Sequence, residues 1–137
     1  MNFRASFCDP FKQDIVELGS IAQKDIIAKF ESIDWQDWLL KMNSVHASEI
    51  YYSPSLEIEN LSNKHGLAIS AVGDDRNFEF YIFYKRPKTI KTFFGLKEKH
   101  YEDYLTDKTG QTRQDVIDCL TALIADDTAF LDSKLGA

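Results

Sequence analysis

"FEFYIFYKRPKTIKTFFGLKEK", residues 78–99, is the stretch on which the fold turns. Its first half alternates: Phe78, Phe80, Ile82 and Tyr84 fall on one side of an extended chain, and Glu79, Tyr81, Phe83 and Lys85 on the other. A period of two is the signature of a strand, because successive side chains leave opposite faces of the pleat. Arg86-Pro87-Lys88 reads as a tight connection. Alternation then resumes, with Ile90, Thr92 and Phe94 opposite Thr89, Lys91 and Phe93, until Gly95 offers a stop. The stretch therefore predicts two neighbouring antiparallel strands, their lysines placed where Lys discourages edge-to-edge pairing.

Upstream, the same period governs "SPSLEIENL" and "LAISAVG", separated by the turn signals "NKHG" and "DDRN". Pro54 has no N–H to give a ladder and marks an edge or a bulge. Before residue 48 the period is 3.6. Asp9-Pro10 reads as a helix start followed by Phe11, Ile15 and Leu18; Ser20 to Gln23 fits a capping box ahead of Ala22, Ile26, Phe30 and Ile33; Asp34 caps "WQDWLLKM". Downstream, "KEKHYEDYLTDKTG" reads as a polar connection with a helical turn near Tyr101 to Leu105. Thr112 to Asp115 then opens a helix whose stripe is Val116, Cys119, Leu120, Leu123 and Ile124, interrupted at Asp126-Asp127. The order predicts one α+β domain, residues 1–137: an antiparallel meander of about four strands packed by N-terminal helices and a C-terminal helix. The connections are too short for the crossovers of a parallel sheet.

Composition bounds the function classes. A chain of 137 residues with 44% apolar content buries roughly 68% of its unfolded surface, enough for a core without staples. Cys8 and Cys119 stand far apart with no ligand-like spacing, which predicts a reduced, cytoplasmic protein with no disulfide, metal or cofactor. Asp9, Pro10 and Lys12 interrupt the N-terminus before a signal-type apolar run can form. The longest purely apolar run, Phe80 to Tyr84, is too short to span a bilayer, so no membrane partner is expected.

Chemistry is sparse. Nucleophile-elbow, P-loop, dinucleotide and zincin motifs do not occur. His100 stands beside Glu102 and Asp103, a pattern that fits either a partial metal site or a solvated loop. Asp74-Asp75 reads as a hairpin turn, and Asp126-Asp127 as a helix break. Charge is uneven: residues 85–99 carry six Lys/Arg against one Glu in a chain of net charge −6. With Tyr84, Phe93 and Phe94 nearby, that strip resembles a single-strand nucleic-acid platform, but its flanks are acidic and the pI is about 5.0, which argues against nucleic acid.

Tyr81 and Phe83 belong to the strand face opposite Phe80 and Ile82, and Phe93 falls on the corresponding face of the next strand. Two arrangements suit them. Under a second helical layer they are core; on an open sheet face they are an apolar patch of the kind that anchors a partner. The second arrangement gives a partner-binding site of Tyr81, Phe83 and Phe93 with Asp74, Asp75 and Glu79 as steering charges. A competing expectation is a small-molecule or enzymatic pocket between helices and sheet, built on Trp35, Trp38 and His100.

The "W-x-x-W-L" helix at Trp35, followed by "SPSLEI", "LAISAVG", "FEFYIFYKRP" and a capped C-terminal helix, resembles the small immunity proteins of bacterial polymorphic-toxin systems. The resemblance implies a non-enzymatic protein that binds and blocks a toxin domain. An acidic chain suits a basic toxin, since opposite charge speeds encounter.

Overall fold

The computed structural model describes residues 2–137. Six antiparallel strands run β1 (Phe3–Cys8), β2 (Val16–Ile21), β3 (Ser55–Asn60), β4 (His65–Gly73), β5 (Phe78–Thr92) and β6 (Lys97–Gln111), and they lie in the order β2-β1-β3-β4-β5-β6. Helices α1 (Ile26–Ser32) and α2 (Trp35–Asn43) fall between β2 and β3. Helices α3 (Arg113–Ile124) and α4 (Thr128–Leu135) follow the last strand.

Register shows why one sheet face holds the core. The pairings Ala5↔Ile58, Ile58↔Leu67, Leu67↔Tyr84, Leu56↔Ile69, Ile69↔Ile82 and Ala71↔Phe80 stack apolar residues side by side across strands. Ile26, Phe30, Trp35, Leu39, Val116, Cys119, Leu120, Leu123, Leu131 and Leu135, from all four helices, close over them in one cluster. The centre is aromatic. Trp35 meets Phe80 edge-on at 5.5 Å and Phe30 at 5.7 Å between ring centroids, and its indole N–H donates to the Phe30 carbonyl at 3.3 Å.

The α+β class and the antiparallel sheet agree with the sequence reading, as do the β3–β4 and β4–β5 hairpins. The Asp34 cap accepts from Asp37 N at 3.0 Å, and Thr112 and Asp115 form the expected capping box. Four differences stand out. The first expected helix is a strand pair instead: Asp9 caps only a single turn, accepting from Phe11 N at 2.9 Å, while Ile15 and Leu18 remain exposed, having no core to enter. The alternation Phe3, Ala5, Phe7 wins because β3 offers those residues a ladder and a packed face. Ser20 lies in β2, so it caps nothing, and α1 starts only at Ile26.

Arg86-Pro87-Lys88 is also no turn. β5 runs through it without a break, because Pro87 falls at a bulge where β6 spends three residues against two. Finally, residues 97–111 form β6 rather than a loop with a helical turn, and the sheet has six strands where about four were expected. Phe93 and Phe94 accordingly leave the strand and occupy the turn between β5 and β6.

Arg86 fastens the C-terminus to the sheet. It is 3% exposed, donates to the Tyr84 carbonyl (3.0 Å), Thr106 Oγ1 (2.6 Å) and the Gly136 carbonyl (2.7 Å), and its guanidinium lies 4.1 Å and 4.8 Å from the Tyr84 and Tyr104 ring centroids. Asp132 sits 3.7 Å away. Arg86→Ala removes these bonds and empties the space between the Tyr84 and Tyr104 rings, so urea unfolding should show a loss of about 3 kcal/mol. Arg86→Lys should recover only a minor part, because a point charge cannot fill the planar fork.

His65 lies beside this cluster, its Nδ1 3.2 Å from the Tyr84 hydroxyl. Burial holds its pKa below the ordinary imidazole value, helped by Arg86 and opposed by Asp126 and Asp132. The fold therefore favours the neutral ring. Stability from this group is complete above the ordinary value and is lost as pH falls below it. Thermal melts from pH 7 to pH 5 should show a declining midpoint, and His65→Gln should flatten part of that decline.

Candidate functional site

The sheet face opposite the core carries no helix among the described residues. Strand alternation places Arg4, Ser6 and Cys8 of β1 there, with Ser55, Glu57 and Glu59 of β3 and Gly66, Ala68 and Ser70 of β4. From β5 and β6 come Glu79, Tyr81, Phe83, Lys85, Leu105 and Asp107. Small side chains at the centre and long ones at the margins produce a hollow of about 320 Å³. Gly66, Ala68, Ser70, Ser55 and Ser6 form its floor. Arg4, Glu57 and Glu59 rise on one side, and Phe83, Lys85 and Leu105 on the other.

The polar groups are tied down. Arg4 and Glu59 form an ion pair at 2.9 Å, Ser6 donates to Glu57 Oε2 at 3.1 Å, and the Ser55 and Ser70 hydroxyls meet at 2.6 Å. Glu57 Oε1 lies 4.0 Å from the Cys8 sulfur. Such a lattice holds the carboxylates in fixed positions without an external ligand. Arg4 and Lys85 stand against Glu17, Glu57, Glu59, Glu79 and Asp107, so two basic groups face five acidic ones.

Nucleophilic chemistry has little to work with on this face. Burial, reinforced by Glu57, pushes the Cys8 thiol up to about 11, and burial does the same to Cys119 on α3. The histidines lie elsewhere. His46 caps the short turn Ala47–Glu49, His65 is on the helix side, and His100 shares its two ring nitrogens between Thr89 Oγ1 at 2.9 Å and Glu102 Oε1 at 3.0 Å. Among the described residues no group of three or more His, Cys, Asp or Glu is arranged to hold a metal ion.

The expected partner-binding residues are divided. Tyr81 and Phe83 sit half-buried on the helix-free face, cross-strand from Ser70 and Ala68, and Glu79 shares that face. Asp74 closes the β4–β5 turn, accepting from Arg76 N and Asn77 N at 2.9 and 2.8 Å; those bonds hold its pKa below the usual carboxylate range. The Asp75 carbonyl accepts from Gln36. Phe93, by contrast, is ten residues beyond Phe83, roughly 30 Å at about 3.3 Å per residue.

Trp35, Trp38 and His100 do not converge. Trp35 is core, at 1% exposure. Trp38 borders a separate concavity of about 330 Å³ beside Phe7, Lys29 and Ile33, with the Phe7 ring tilted against it at 5.4 Å between centroids. His100 pairs with Thr89, nine residues along β5 from the Phe80 that Trp35 touches, again about 30 Å away.

Sequence reading missed the Glu57 lattice and the hollow, although the alternation of Phe3-Arg4-Ala5-Ser6-Phe7-Cys8 was available to reveal β1. Iodoacetamide at neutral pH should leave Cys8 and Cys119 unmodified in the folded protein and alkylate both in denaturant. Rapid native labelling of Cys8 would show that the thiol is neither shielded nor raised. No protein-family model, curated protein or solved structure matches the chain.

Proposed function

We propose that the protein is a non-enzymatic partner-binding protein, an immunity-type inhibitor of a bacterial toxin, and that it receives the toxin on its helix-free sheet face. The observation that carries this reading is the position of Tyr81 and Phe83. They are half-buried rings on a face no helix covers, beside a hollow floored by small residues. An antiparallel sheet can leave one face to water, but polar residues then normally line it. Aromatic anchors within a charged rim are the usual composition of an interface centre.

Charge narrows the partner. With five carboxylates against two cations, the face attracts a basic surface and repels an acidic one, raising the encounter rate more than the final affinity. Glu79 shares this face, while Asp74 and Asp75 stand at its end. Phe93 has no part in the patch.

The test is calorimetric titration against basic bacterial toxin domains, beginning with any whose gene adjoins this one, with toxin activity followed in parallel. Tyr81→Ala with Phe83→Ala should weaken the complex by about 100-fold and release the toxin while leaving the thermal midpoint nearly unchanged. Wild-type-like affinity in the double variant would remove the sheet face as the site. A collapse of the midpoint would place both rings in the fold's core. Association should also slow as salt rises, through Glu57, Glu79 and their neighbours.

A further inference from the structure

We propose that the hairpin arm formed by the outer halves of β5 and β6 is a peripheral anchor for bilayers rich in anionic lipid, its apolar tip entering the interface and its lysines meeting the headgroups. β4 pairs with β5 only as far as Lys85; from Arg86 outward β5 is paired with β6 alone. Six further residues at about 3.3 Å each carry the arm roughly 20 Å past the sheet. No residue from 87 to 110 is buried.

At the end stand Phe93, Phe94 and Leu96, at 67%, 107% and 86% exposure. Phe93 and Phe94 have φ of 53° and 57°, and Gly95 follows at 85°. A hairpin turn with three consecutive positive-φ positions calls for Gly or Asn there. This one holds two phenylalanines in full solvent, so neither local geometry nor core packing accounts for the choice of residue.

Behind the tip come cations. Thr92↔Lys97, Ile90↔Lys99 and Lys88↔Tyr101 put Lys88, Lys97 and Lys99 on one side of the ribbon, where none has a carboxylate within 4 Å among the described residues. Lys91, on the other side, pairs with Glu98 at 3.7 Å. The arm carries carboxylates of its own, Glu98 on Lys91, Glu102 on His100, and Asp103 nearer the base, so its cationic part is the outer stretch, where residues 88–99 hold four lysines against one glutamate. The acidic body lies more than two Debye lengths from the tip, each about 8 Å at physiological salt.

The order along the arm, apolar groups leading and lysines behind, matches the depth profile of a bilayer interface, where hydrocarbon lies beneath anionic headgroups. A nucleic acid would use the lysines but give Leu96 nothing to bury against. The short apolar runs that excluded a membrane-spanning segment do not bear on this mode of contact, which requires a few side chains at the interface.

Co-sedimentation of the full chain with phosphatidylcholine vesicles, with and without phosphatidylglycerol, tests the assignment. Binding is expected to the phosphatidylglycerol vesicles and to be at least about tenfold weaker without that lipid. Joint substitution Phe93→Ser, Phe94→Ser and Leu96→Ser leaves the charge intact and should cost at least about tenfold. Lys97→Glu with Lys99→Glu should cost a similar factor. In a Phe94→Trp variant, emission should shift to the blue only with phosphatidylglycerol present. Absence of wild-type binding overturns the proposal, as does unchanged binding by the serine variant, which would mean a general polyanion surface of the kind nucleic acid uses. A dimer that forms without vesicles and dissociates in the serine variant overturns it too, assigning the tip to a second copy of the chain. Toxin inhibition by the serine variant reports separately on the sheet face.

Discussion

One guanidinium stands at the boundary between the two halves of this molecule. Inward of Arg86, β5 is a central strand, paired on both edges and covered by helices on one face; outward of it, β5 belongs to a two-stranded ribbon. A two-stranded hairpin is marginal by itself in water, so the arm depends on a firm base. Arg86 supplies it by joining Tyr84, Thr106, Tyr104 and the end of α4 through bonds no shorter or more flexible cation could make together. The cost of burying its charge is met by three carbonyl or hydroxyl acceptors, two aromatic faces and the partly exposed Asp132.

The same boundary explains what could be read from the sequence. β3, β4 and the inner half of β5 alternate cleanly because one face is buried and the other is not. The capped helices α2 and α3 announce themselves by Asp34 and by the Thr112/Asp115 box. β6 gave no such signal. Its side chains meet no core between Lys97 and Gly110, and two bulges shift the period, so pairing with β5 holds it extended where propensity would not. At the N-terminus a real period of two in Phe3–Cys8 competed with a coincidental 3.6 spacing of Phe11, Ile15 and Leu18. Only the presence of β3 as a neighbour decides between them.

The candidate site was legible in part for a related reason. Alternation assigns Tyr81 and Phe83 to the face opposite Phe80 and Ile82, but it is silent on whether anything covers that face. All four helices go to the same side because each has apolar residues to bury, and the β3–β5 core residues present a single apolar face to receive them. The opposite face is then left with serines, an alanine, a glycine and paired charges, together with two rings too large to be shielded by such neighbours. The hollow arises from this difference in side-chain size and needs no distortion of the strands. The lattice around Glu57 joins residues more than 45 positions apart, a relation that no local pattern contains.

Charge separation follows from the architecture as well. Concentrating cations on a body with five carboxylates on its open face would pair them internally and neutralise both surfaces. On the outer part of a ribbon held away from that body, Lys97 and Lys99 keep their fields, and the body's carboxylates keep theirs, because in physiological salt the field of a charge decays over about 8 Å. The rings of Tyr104, Phe93 and Tyr101 lie 5.1 to 5.6 Å from the Lys88, Lys97 and Lys99 ammonium groups and support them without cancelling their charge. Left-handed backbone at Phe93 and Phe94 carries a cost of about 1–2 kcal/mol per residue. A ribbon this short has little stability with which to offset that cost, so Asn or Gly at those positions would strengthen it. Two phenylalanines there weaken the free arm, and within it only Phe93 gains a contact in return, beside the Lys97 ammonium.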